Sequence, residues 1–130
     1  MIKVFLNDDL LAKHLALRIL NQLKRKKKLI LGCPGGRSLK KTYFYMGRLS
    51  TKLNIGLNNL TIVMMDEYVD KKKGKYFLVN PKSHYSCVRF SLQVIKRLFN
   101  YKKNKKNEFK KENILFPSID FPKSYDKKIN

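Results

Sequence analysis

The stretch Leu29-Ile30-Leu31-Gly32-Cys33-Pro34-Gly35-Gly36-Arg37-Ser38 decides how the chain is read. Leu29-Ile30-Leu31 is a short, continuous apolar run, the pattern of a strand buried on both faces of a parallel sheet. The glycines and Pro34 stop it. Apolar positions at Leu39, Tyr43, Phe44, Met46 and Leu49 then recur at helical spacing. A strand running through a glycine turn into a helix is half of a βαβ unit. The other half follows: Asn54 to Asn59 forms a turn, and Leu60-Thr61-Ile62-Val63-Met64-Met65 is the next apolar strand, ended by Asp66-Glu67-Tyr68.

Upstream, Val4-Phe5-Leu6 reads as a first strand. Asn7, Asp8 and Asp9 supply an N-cap and first-turn acids. Leu10, Leu11, Leu15, Leu17, Ile19, Leu20 and Leu23 give a helix that ends in Lys24-Arg25-Lys26-Lys27-Lys28, cations where the helix dipole favours them. His14 within it has no second ligand at metal spacing and reads as a surface or half-buried helical residue. The order β-α-β-α-β predicts an α/β fold, a parallel β-sheet with helices on both faces.

Downstream, Asp70 to Lys75 reads as a charged loop and Ser83 as the cap of a third helix, whose stripe is Val88, Leu92, Ile95, Leu98 and Phe99. Tyr101 to Lys111, within a charged linker or loop over 100–112, reads as exposed. Asn113-Ile114-Leu115-Phe116 is a small strand, and Pro117 and Pro122 keep the tail irregular.

With 130 residues, the chain suits one domain with a modest core. It is 43% hydrophobic and 30% charged, which excludes disorder by composition. No apolar run approaches the roughly 18 residues that would cross a bilayer. The start lacks the long apolar stretch of a secretory signal, so a cytoplasmic location is expected. Cys33 and Cys87 make neither a disulfide framework nor a metal spacing. The net charge of +21 has the footprint of a nucleic-acid binder. Lysine outnumbers arginine, however, and arginine is the residue that forks onto phosphates and bases. A basic RNA- or polyanion-binding module, with Tyr43, Phe44 and Tyr45 as its aromatics, is therefore the weaker reading of that charge.

Two places can carry chemistry. Glycines at a strand-to-helix turn let backbone N–H groups approach an oxyanion, and Arg37 adds a fork that matches phosphate. The spacing is neither of the two nucleotide-binding glycine motifs. Cys33 beside this turn is either a thiol activated by the helix start or a buried filler. Asp66 and Glu67 stand at the end of a strand, where open α/β sheets hold their ligands. Being adjacent, they point in opposite directions, so one carboxylate faces the ligand.

In this order, the Gly32–Ser38 turn and Met65-Asp66-Glu67-Tyr68-Val69 resemble the glucosamine-6-phosphate isomerase/deaminase and 6-phosphogluconolactonase superfamily. The Met-Asp-Glu-Tyr run resembles the deaminase branch, and the lactonase branch shows a related Asp-Glu-Arg form. Ser83-His84-Tyr85-Ser86 is similar to the Ser/Asn-Tyr stretch that follows in both, and Asn113-Ile114-Leu115 to the next short strand. The resemblance implies a Rossmann-like fold of the sugar-phosphate isomerase type and a place in carbohydrate metabolism. It implies that Gly35, Gly36, Arg37 and Ser38 contact a sugar phosphate. Asp66 would move a proton between C1 and C2, Glu67 would support the site, and Tyr68 would pack behind it. Neither a metal nor an organic cofactor is implied. The family's second-half Asp-Gly-His motif does not occur in these 130 residues. The expectation is thus a single truncated domain, 1–130, incomplete as a fold and as a catalyst by itself. Its protein partner would be a second copy or a chain supplying the other half. A 6-phosphogluconolactonase-like hydrolase is the alternative within the family.

Overall fold

The computed structural model of the chain describes residues 2–119. Asn7, in extended backbone, accepts a hydrogen bond on its side chain from the Leu10 N–H at 2.9 Å and starts α1, Asp8–Lys26. Asp8 and Asp9 occupy its first turn and Lys24, Arg25 and Lys26 its last, both favourable to the dipole. Lys27 ends it in the left-handed region, at φ 62°. Ala12, Ala16, Leu20 and Leu23 face the core.

The expected strand at Val4-Phe5-Leu6 is not formed. Val4 is 91% exposed and Leu6 95%. The run has no neighbouring strand among the described residues, and extended backbone needs one to satisfy its N–H and C=O groups. Phe5 instead lies against His14, ring centroids 5.0 Å apart.

Strands β1, Leu29–Cys33, and β2, Leu60–Met64, pair in parallel from Leu29 opposite Leu60 to Cys33 opposite Met64. Helix α2, Lys40–Lys52, connects them after a single 3₁₀ turn, Arg37–Leu39. Two antiparallel strands follow β2: β3, Val69–Lys72, and β4, Lys75–Leu78. The chain then enters α3, Cys87–Phe90, passes through a π-helical turn, Ser91–Ile95, and continues as α4, Lys96–Phe99. Strand β5, Ile114–Leu115, completes the parallel sheet in the order β1-β2-β5. The fold is therefore α/β, with a three-stranded parallel sheet flanked by helices. Leu60, Ile62 and Met64 of the central strand are fully buried against Leu20, Met46, Ile95 and Phe99. Helix α2 sits between α1 and α4. It approaches α4 so closely that a Cβ on Gly47 would overlap the Leu98 carbonyl.

The charged loop expected over Asp70–Lys75 is a hairpin. Lys73 at φ 48° and Gly74 at φ 79° form its two-residue turn, both in the left-handed region that suits the twist of paired strands. The third helix starts later than expected. Ser86, not Ser83, caps it, accepting from the Arg89 N–H at 3.2 Å. The 100–112 segment is a loop tied at two points. The Asn100 side chain exchanges two hydrogen bonds with the Phe109 backbone, at 2.8 and 2.9 Å, and Phe109 is buried edge-on against Phe99. Lys103 donates to Ser50 Oγ, Thr51 Oγ1 and the Ile55 carbonyl at the end of α2. Pro117 follows β5 in irregular chain, and Pro122 lies outside the described residues.

Candidate functional site

The register of the sheet builds the site. Because Cys33 lies opposite Met64, the segments leaving β1 and β2 run side by side, and the Met65 N–H donates to the Cys33 carbonyl at 3.1 Å. One step further, Asp66 Oδ1 accepts the Gly35 N–H at 3.1 Å. The glycine turn and the strand-end carboxylate, 31 residues apart, are thus joined directly. Gly36 is in extended backbone at φ −90° and precedes the Arg37–Leu39 turn. No side chain caps that turn or the start of α2. First-turn amides without a side-chain acceptor are the donors that an oxyanion takes up at a helix start. Gly36, Arg37 and Ser38 are all exposed, and so is Asp66.

Glu67 turns the other way. Its Oε2 accepts from Ser86 Oγ at 2.9 Å and from the Val88 N–H at 2.8 Å. Its Oε1 accepts from the Cys87 and Tyr68 N–H groups, both at 2.9 Å. Partial burial opposes its ionisation. The backbone donors of Val88, Cys87 and Tyr68, with the Ser86 hydroxyl, outweigh that and hold its carboxyl below the usual range. Glu67 therefore supports the site by clamping the start of α3 to the end of β2. Tyr68 is 56% exposed and edge-on to Tyr85 at 5.6 Å, rather than packed behind the site.

That clamp delivers Cys87, which nothing in the sequence marked. Its sulfur lies 3.9 Å from Asp66 Oδ2, and a Cβ on Gly35 would overlap it. Only glycine at 35 leaves room for this packing. Burial first, then the neighbouring Asp66 and Glu67 carboxylates, push the Cys87 thiol up to about 11. It is accordingly a protonated donor toward Asp66. Both Asp66 oxygens are thereby oriented, Oδ1 by the glycine turn and Oδ2 by α3. Cys33 is 1% exposed, and burial pushes its thiol up to about 11 against the pull of the Tyr43 hydroxyl. That corrects the activated-thiol reading: Cys33 is a buried filler. Tyr43 also donates to the Pro34 carbonyl at 3.4 Å, fixing the base of the turn from α2.

Among the described residues, no group of three His, Cys, Asp or Glu is gathered that could hold a metal ion. No helix among them is long and apolar enough to cross a membrane. No protein-family model matches the chain, and no curated protein matches it in sequence. Among solved structures, it is similar to that of a monomeric glucosamine-6-phosphate deaminase, described as a missing link of the NagB superfamily. The TM-score is 0.62 at 19% identity, covering 95% of this chain and 45% of that one. The chain spans less than half the length of the protein it resembles. Sheet register and overall superposition agree on one result: this is an α/β chain with the fold of that deaminase structure, incomplete beside it.

Proposed function

We propose that the chain is a glucosamine/galactosamine-6-phosphate isomerase (deaminase)-like protein that binds a sugar phosphate at the junction of β1, β2 and α2. The observation that carries this is the hydrogen bond from the Gly35 N–H to Asp66 Oδ1, beside a helix start that no side chain caps. In this reading Gly35 lines the site while its N–H holds Asp66, the amides of Gly36, Arg37 and Ser38 surround the phosphate or sugar hydroxyls, and the Arg37 guanidinium adds a charge-assisted fork. Asp66 is the carboxylate that moves a proton between adjacent sugar carbons, held in line by Gly35 and Cys87. Glu67 and Ser86 position the wall behind it. The deaminase-type solved structure, at TM-score 0.62, supports the assignment of ligand class.

The test is an NMR titration of the 130-residue chain with glucosamine 6-phosphate. The Gly35, Gly36 and Ser38 amides are expected to shift first. Arg37→Ala is expected to weaken binding by about 1.5–3 kcal/mol, the range for hydrogen bonds to charged groups. Shifts spread evenly over the lysine surface, with none centred on Gly35 and Gly36, would refute the reading.

A further inference from the structure

A second basic feature stands next to the glycine turn. A cleft of about 470 Å³ is lined by Arg37, Lys40, His84, Arg89, Phe90, Gln93 and Val94. Its nitrogen-bearing side chains come from separate parts of the chain: the 3₁₀ turn, the first turn of α2, the segment before α3, and α3 itself. No carboxylate lines it. The acids in the first turn of α1 are engaged elsewhere, because Asp8 and Asp9 pair with Lys41 at 2.9 and 3.2 Å. Among the described residues, Arg37, Lys40 and Arg89 make no ion pair at all. Arg89 is already oriented. Its Nε donates to Gln93 Oε1 at 3.0 Å and its Nη1 to the Lys82 carbonyl at 2.8 Å, which leaves Nη2 for a ligand. Phe90 and Val94 give the cleft an apolar side, where charge interactions are stronger than in open water. The volume falls in the range of small-molecule sites.

We propose that this cleft binds a second phosphate dianion. Arg37 belongs both to the glycine turn and to the cleft, so the two sites share a wall. A sugar carrying two phosphate groups can therefore span them, and a free phosphate can fill the cleft beside a sugar monophosphate. The proposal extends the reading above and rests on it only for the first phosphate. It rests on convergence and pre-orientation rather than on net charge: a larger lysine-lined cavity, of about 810 Å³ at the hairpin, includes the Asp70 carboxylate, whereas this cleft has none.

The experiment titrates the isotope-labelled 130-residue chain with fructose 1,6-bisphosphate, fructose 6-phosphate and inorganic phosphate at one ionic strength. Expected is at least tenfold tighter binding of the bisphosphate than of the monophosphate, with Lys40, His84, Arg89 and Gln93 shifting together with Gly35 and Gly36. The double variant Lys40→Ala/Arg89→Gln, its spectrum otherwise unchanged, is expected to lose that tenfold advantage and keep the Gly35 and Gly36 shifts. Inorganic phosphate moving His84 and Arg89 by itself supports the cleft and identifies a free phosphate as its occupant. Equal binding of the two sugars with His84 and Arg89 unmoved overturns the proposal and leaves the glycine-turn reading standing. Shifts at His84 and Arg89 without any at Gly35 and Gly36 overturn that reading and leave the cleft. A hairpin control, Lys72→Ala/Lys73→Ala, that loses as much affinity as the cleft variant also overturns the proposal, because general charge then suffices.

Discussion

Glu67 accepts hydrogen bonds from Ser86, Cys87, Val88 and Tyr68, and its neighbour Asp66 accepts from Gly35 and Cys87. Two adjacent acids thus do different work, one holding a helix and one presenting a carboxylate to solvent. The pH behaviour separates them. The folded pKa of Glu67 lies below its unfolded value of 4.5. Its contribution to stability is therefore fully present above about pH 4.5 and is lost as pH falls through the lowered folded value. Glu67→Gln is expected to destabilise the chain by about 1–3 kcal/mol at pH 7, since hydrogen bonds to a charged acceptor are the strong ones. Thermal unfolding followed from pH 7 down to pH 3 should show the difference from wild type narrowing across the acid end. A gap that stays constant over that range would mean that the charge of Glu67 contributes nothing. Alternation along extended chain foretold that the two acids diverge. It did not foretell Cys87, which reaches Asp66 from 21 residues away and carries no sequence signal of its own.

At the scale of elements, α2 and α4 meet at Gly47. A Cβ there would overlap the Leu98 carbonyl oxygen and come close to the Phe99 Cα. Helix propensity favours alanine over glycine by about 1 kcal/mol. Overpacking a close backbone contact costs about 1–3 kcal/mol and sometimes more. The second effect wins, so Gly47→Ala is expected to lower stability, read as a lower denaturant midpoint. An unchanged or raised midpoint would show that the helices can separate freely. The same contrast of local preference with tertiary packing explains which elements were legible. Leu29–Leu31 and Leu60–Met65 announced themselves because a buried central sheet demands unbroken apolar runs. The β3–β4 hairpin did not, because β3 is mostly charged, the apolar residues of β4 are exposed, and the hairpin rests on a Lys73-Gly74 turn and cross-strand pairing. Val4–Leu6 misled in the opposite sense, being strand-like in composition and without a partner strand. The placement of the glycine turn and of Asp66 at strand ends was legible. The Arg37–Arg89 cleft was not, since it unites residues 52 positions apart that no periodicity links.

The charge of +21 belongs to the whole molecule. Its lysines are distributed over the end of α1, the hairpin and the 100–112 loop, and the aromatic run in α2 does not form a stacking platform. Tyr43 is buried, and Phe44 packs beside Tyr45 and under the Arg48 guanidinium. A strip of exposed rings with clustered cations, the device of single-strand binders, is therefore missing from that helix. Catalysis is also a property of the whole. A proton-transferring carboxylate must come within about 3 Å of the proton it takes. In the proposed reading Asp66 serves that task, but a sugar phosphate in ring form needs a second group to open it. The family resemblance assigns that step to the histidine of an Asp-Gly-His motif, which these 130 residues do not contain. One missing acid–base group typically costs factors of about 10² to 10⁴ in rate. A missing half of the pocket removes orientation as well, and a 1 Å misplacement alone costs about 10²-fold. Purified 1–130 is therefore expected to bind sugar phosphate without releasing ammonia from glucosamine 6-phosphate above background. Adding a polypeptide that supplies the second half of the fold is expected to restore turnover, and Asp66→Asn to abolish it while the Gly35 and Gly36 shifts on binding persist. Robust ammonia release by the 130 residues alone would show that ring opening is served from within this chain. Restored turnover that survives Asp66→Asn would move the proton transfer to another group and leave Asp66 as the anchor of the glycine turn.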